Sequence, residues 1–117
     1  MSRMGRARVR MPAAARRGEI IEIRAQVEHP NDSGLRADHM GVTIPRHIVT
    51  RFRCVFEGEL VFEATLRPAV STNPLLQFPF RADRGGEFEF EWTDDQGGQA
   101  LVRQRLEVAA TPAAPPG

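Results

Sequence analysis

The 117-residue chain carries sixteen basic and fifteen acidic residues, a net charge of +1, with 41% hydrophobic and 26% charged residues. Such a length fits one domain with one modest core; the hydrophobic share excludes a disordered chain, and the balanced charge excludes an electrostatic pull toward nucleic acid or an anionic membrane. A single cysteine, Cys54, excludes an internal disulfide, and no apolar run nears the ~18 residues of a membrane-spanning helix.

Taken in chain order, residues 1–6 read as a flexible, basic start that lacks the apolar stretch of a signal peptide. Residues 7–11 alternate as a short edge strand that Pro12 closes. Residues 13–18 read as a basic connection with Gly18 as its turn. Ile20, Ile21, Ile23, Ala25 and Val27, with Glu22, Arg24 and Gln26 between them, predict a strand with one wet face. Residues 29–41 form the longest polar stretch, with Pro30, Asn31, Asp32, Ser33 and Gly34 as a dense turn signal; long connections of this kind tend to be functional. Residues 42–45 add a short strand.

Residues 48–57 read as a long central strand, with Thr50, Phe52, Cys54 and Phe56 on one face and Arg51, Arg53 and Val55 on the other. Gly58 turns the chain into a return strand over residues 60–66, a hairpin. A loop over residues 67–74 follows, then a strand over 75–82 in which Pro79 marks a bulge or an edge position. Residues 87–92 alternate with Phe88, Phe90 and Trp92 on one face, Gly97 and Gly98 sit in a turn, and the last strand spans 100–108 with Leu101, Arg103 and Arg105 opposing Val102, Gln104, Leu106 and Val108. Residues 110–117 read as a disordered Pro/Ala tail. Seven to eight short strands with regular turn signals and no helical periodicity predict an all-β, immunoglobulin-like antiparallel β-sandwich occupying residues 7–109.

Each candidate for chemistry has a plainer explanation. Cys54, between Phe52 and Phe56, reads as a buried, inert thiol. His29, His39 and His47 with Asp32 and Asp38 match no zinc spacing and read as solvated loop residues, so no metal site is assigned. Asp94 and Asp95 lack the alternating spacing of a calcium loop and read as turn formers. Ser71 lacks the context of a hydrolase nucleophile. Gly85-Gly86 and Gly97-Gly98 lack the following helix that a phosphate cradle requires. Arg46, Arg51 and Arg53 read as a solvated face, and Trp92 with its phenylalanines as core. No catalytic residue, cofactor or enzyme activity is expected.

Several segments in order carry a likeness to a known family: Arg16-Arg17-Gly18-Glu19, His29-Pro30 with Ser33-Gly34, Ile44-Pro45-Arg46, Pro68-Ala69-Val70-Ser71 with Asn73-Pro74, and Trp92-Thr93-Asp94-Asp95 with Gly97. From about Arg8 to Val108 the sequence resembles the SoxZ family, the smaller subunit of the SoxYZ sulfur carrier of thiosulfate-oxidising bacteria. The resemblance implies a non-catalytic subunit that binds and stabilises a SoxY-like partner as a heterodimer and meets other Sox enzymes transiently. In that family the sulfur-carrying cysteine lies on a C-terminal arm of SoxY; this sequence ends in Pro116-Gly117 without a terminal cysteine, as the resemblance implies for the Z subunit, so Cys54 is not the carrier. The resemblance also implies a periplasmic location, reached by export with the signal-bearing partner. The expected partner contacts are Ile44, Pro45 and Arg46 and the loop of Ser71, Asn73 and Pro74. The alternative is a stand-alone immunoglobulin-like module that binds another protein or a carbohydrate.

Overall fold

The computed structural model describes residues 6–29, 34–35, 37–43, 47–66 and 74–112. These residues form eight strands: β1 (Ala7–Arg10), β2 (Ala14–Arg17), β3 (Glu19–Val27), β4 (Val49–Phe56), β5 (Glu59–Thr65), β6 (Leu75–Ala82), β7 (Gly86–Asp94) and β8 (Gln99–Pro112). They build a three-stranded sheet in the order β1-β3-β6 and a five-stranded sheet in the order β2-β8-β7-β4-β5. The expected sandwich is therefore present. Among the described residues no helix is long and apolar enough to cross a membrane.

Alternation of side chains across a pleated strand decides what each sheet buries. In β3, Ile21, Ile23, Ala25 and Val27 point inward while Ile20 is exposed. In β7, Phe88, Phe90 and Trp92 are fully buried, and in β4 so are Phe52 and Cys54. Aromatic rings bind the two layers together. Phe52 of β4 lies 6.1 Å from Phe78 of β6, Phe56 lies 5.2 Å from Phe80, and Phe62 stacks on Phe78 at 4.4 Å. Rings at these separations contribute about 0.5–1.5 kcal/mol each beyond their buried area.

The outer face of the five-stranded sheet is wet and charge-matched. Arg103 reaches Glu89 at 3.2 Å, and Arg53 reaches Glu63 at 3.2 Å. Exposed pairs of this kind are worth well under ~1 kcal/mol apiece. Their role is to keep the face soluble and in register.

Three expectations require correction. Residues 13–18 are more than a connection: β2 pairs with β8 in parallel, Ala14 opposite Glu107 and Ala15 opposite Val108, so the sandwich is not wholly antiparallel. Ala15 is buried by that pairing, an apolar contact hidden in the sequence by the flanking Arg16 and Arg17. The last strand, expected to end at Val108, continues to Pro112, whose Cα pairs with Arg17. In the segment 42–45 the described Thr43 makes one isolated bridge to Ala37 rather than a strand, and Ile44 and Pro45 lie outside the described residues. Pro79, as expected, occupies an edge: β6 pairs with β3 alone.

Candidate functional site

Strand register brings several chain segments to one end of the sandwich. Gln26, near the end of β3, pairs with Leu75 at the start of β6. Val49, at the start of β4, pairs with Asp94 at the end of β7, and Arg51 pairs with Thr65 at the end of β5. The connections β3–β4, β5–β6 and β7–β8 therefore all begin and finish at this end.

Here the inward phase of two strands continues into polar residues. His29 follows Ile21, Ile23, Ala25 and Val27 in step, and Asp94 follows Phe88, Phe90 and Trp92. Both are buried. His29 Nε2 lies 3.2 Å from Asp94 Oδ2, and His47 Nε2 lies 2.8 Å from the same oxygen. The two imidazoles meet edge to face with centroids 4.3 Å apart. The other carboxylate oxygen, Oδ1, accepts from the backbone N–H of Gln96 at 3.0 Å and of Gly98 at 2.6 Å. An ionised carboxylate is acceptor-only, so each imidazole presents an Nε2–H to Asp94 in this arrangement. Burying such polar groups is tolerable only because they are matched to one another.

Asp95 locks the same end. Its Oδ1 accepts from Ile48 N–H at 3.0 Å, and its own N–H donates to Ile48 O at 3.0 Å. The β7 exit is thereby tied to the β4 entry.

The reading of His29 and His47 as solvated is thus overturned: both belong to a buried cluster with Asp94, joined by the closure of the two sheets. His39 is exposed and outside it. Asp38 is also exposed; its Oδ1 accepts from Met40 and Val42 N–H and shapes a turn. Asp32 lies outside the described residues. The turn-forming role expected of Asp94 and Asp95 holds for the backbone bonds above, but leaves out the second oxygen of Asp94.

Of the expected partner contacts, Ile44, Pro45, Arg46, Ser71 and Asn73 lie outside the described residues. Pro74 is described, and is buried immediately ahead of β6. Among the described flanks, His47 belongs to the cluster, and Leu66 and Pro74 adjoin the β5 and β6 strand ends that close on the same end. Leu66 N–H donates to Thr50 O at 2.8 Å. Exposed apolar side chains include Leu35, Met40 and Val42 between β3 and β4, and Leu75 at the start of β6.

Cys54 is fully buried in mid-strand, its Cα paired with Phe62 on one side and Phe90 on the other. Desolvation pushes its thiol up to about 12. Arg51 and Arg53 flank it on the solvent face and pair with Glu63.

Comparison with known proteins gives two kinds of match. The family model described as sulphur oxidation protein SoxZ matches residues 9–103. Among solved structures, a superoxide reductase (neelaredoxin) from Ignicoccus hospitalis has a TM-score of 0.72 at 15% identity, covering 91% of this chain and 82% of that one. The sulfur carrier protein SoxY from Chlorobium limicola f thiosulfatophilum has a TM-score of 0.62 at 10% identity, covering 87% and 74%. A putative superoxide reductase from Thermotoga maritima has a TM-score of 0.69 at 16% identity, covering 88% and 85%. At these identities the structural likenesses establish a common fold alone. No curated protein matches.

Proposed function

This chain belongs to the SoxZ family of sulphur oxidation proteins, and on that premise we propose that it is the non-catalytic subunit of a SoxYZ-type sulfur carrier. It binds and stabilises a SoxY-like subunit as a heterodimer, and the partner's C-terminal cysteine arm holds the sulfur intermediates. The family match across residues 9–103 carries this reading. A structural argument about sulfur supports it. The thiolate is the nucleophile in persulfide and thioether chemistry. With burial pushing its thiol up to about 12, Cys54 stays protonated at neutral pH, and its burial among phenylalanines denies access to a sulfur donor. A carrier thiol supplied by the partner removes that difficulty.

The partner docks at the cluster end. Leu35, Met40 and Val42 of the β3–β4 connection and Leu75 at the start of β6 are exposed, and exposed apolar side chains are what a stable heterodimer covers. The outer face of the five-stranded sheet sets Arg–Glu pairs beside exposed Leu101 and is the more polar surface. The complex works in the periplasm, which it reaches with the partner's export signal, and it presents the arm to other Sox enzymes in turn.

Co-expression with the SoxY-like protein of the same source, followed by size-exclusion chromatography, tests the proposal. The expected product is a stable complex containing one copy of each chain. Elution of this chain as a monomer in the partner's presence overturns it.

A further inference from the structure

The geometry points to His29, His47 and Asp94 as a binding site for one divalent transition-metal ion of the zinc class, which staples the ends of β3, β4 and β7 together. This inference stands apart from the carrier proposal. Each of the three residues offers one ligand atom, and these atoms all lie within 4.8 Å of one another. Both imidazole Nε2 atoms converge on a single carboxylate oxygen, at 3.2 and 2.8 Å. Zinc bonds of about 2.0–2.2 Å in tetrahedral geometry place ligand atoms roughly 3.3 Å apart. The histidine–aspartate spacings of 3.2 and 2.8 Å lie near that figure, and all three ligand atoms lie within 4.8 Å of one another, so small side-chain shifts complete the geometry.

Three further features fit a metal. The free rotation of Asp94 is removed by Gln96 and Gly98 N–H on Oδ1, the kind of outer bonding that orients a ligating carboxylate. The donor set is two borderline nitrogens and one oxygen, which suits zinc and its neighbours and is too poor in oxygen for calcium or magnesium. The side chain of His47 is 16% exposed while those of His29 and Asp94 are fully buried, so the site has one entry side and a dry interior. Each neutral imidazole moves its proton from Nε2 to Nδ1, which frees the Nε2 lone pair for the cation and releases no net proton. A fourth ligand, water or a group of the partner, takes the open position.

Titrating Zn²⁺ into the chelator-treated full-length chain by calorimetry tests the site, with Co²⁺ absorption on the same unmodified chain as a second readout. The expected result is saturation at one Zn²⁺ per chain and a tetrahedral Co²⁺ spectrum without thiolate charge transfer. His47→Ala is expected to weaken Zn²⁺ binding at least about 10-fold, and His39→Ala to leave it unchanged. Absence of saturable binding to the unmodified chain overturns the site. So does a Co²⁺ spectrum that stays octahedral, or folded His47→Ala retaining full affinity.

Discussion

Cys54 and Asp94 both point inward from strands of the five-stranded sheet, and burial has opposite consequences for the two. Cys54 has only apolar neighbours, and desolvation alone raises it from the ordinary value of 9.0 to about 12. The native thiol is therefore expected to resist Ellman's reagent at pH 8 and to react on unfolding; fast native-state labelling contradicts this. The same shift fixes a pH dependence. Below pH 9 the thiol is protonated in folded and unfolded chains alike and adds no slope. Between about 9 and 12 the unfolded chain releases the proton first, so this group lowers stability as pH rises through that window. Asp94, by contrast, is held by two backbone amides and two imidazoles. Asp94→Ala orphans these donors at once and is expected to cost about 3 kcal/mol in chemical denaturation; a change under about 0.5 kcal/mol contradicts the assignment. The burial of His29 and Asp94 was legible in principle. Each continues, two residues on, the inward phase of its strand, but a histidine or aspartate at a strand end reads as a turn residue when polarity is weighed above phase. His47 had no such signal, because its position depends on how the chain returns to β4.

Among the elements, the hairpins were the easiest to read. Glu57 and Gly58 both take positive φ, 49° and 83°, the twist of a two-residue turn that suits antiparallel strands, and Gly58 marked it in the sequence. Gly85 has a different task. A Cβ there meets Leu106 O at 2.9 Å and Val108 N at 3.2 Å, both backbone atoms of β8 that cannot step aside. Gly85→Ala is expected to destabilise by about 1–3 kcal/mol, read as a lowered melting temperature; an unchanged melting temperature shows that β8 is less tightly seated. The parallel β2–β8 pair escaped the sequence for a physical reason. Parallel pairing of strands so far apart in the chain leaves no local turn signal, and a four-residue edge strand rich in arginine looks like a linker. The irregular register between Val49 and Arg51 likewise hides why Val49 is buried beside the regular phase of Phe52, Cys54 and Phe56.

For the whole molecule, sequence supplied the sandwich and the family, while the site needed the fold. His29, His47 and Asp94 are separated by up to 65 positions, and only sheet closure brings them together. The connections that hold the segments expected to touch a partner begin and finish at the same end of the sandwich, and Met40 and Val42 of the first connection are exposed. Met40→Asp with Val42→Asp is accordingly expected to weaken the proposed heterodimer at least about 10-fold, with Arg105→Gln, on the five-stranded sheet at the far end of β8 beside Glu87, as the unaffected control. The reverse pattern places the partner on the five-stranded sheet. The most direct test of the central claim is intact mass spectrometry of the purified complex after exposure to inorganic polysulfide. The account predicts sulfur mass increments on the SoxY-like chain alone, with this chain unmodified. Increments on this chain at Cys54 contradict it.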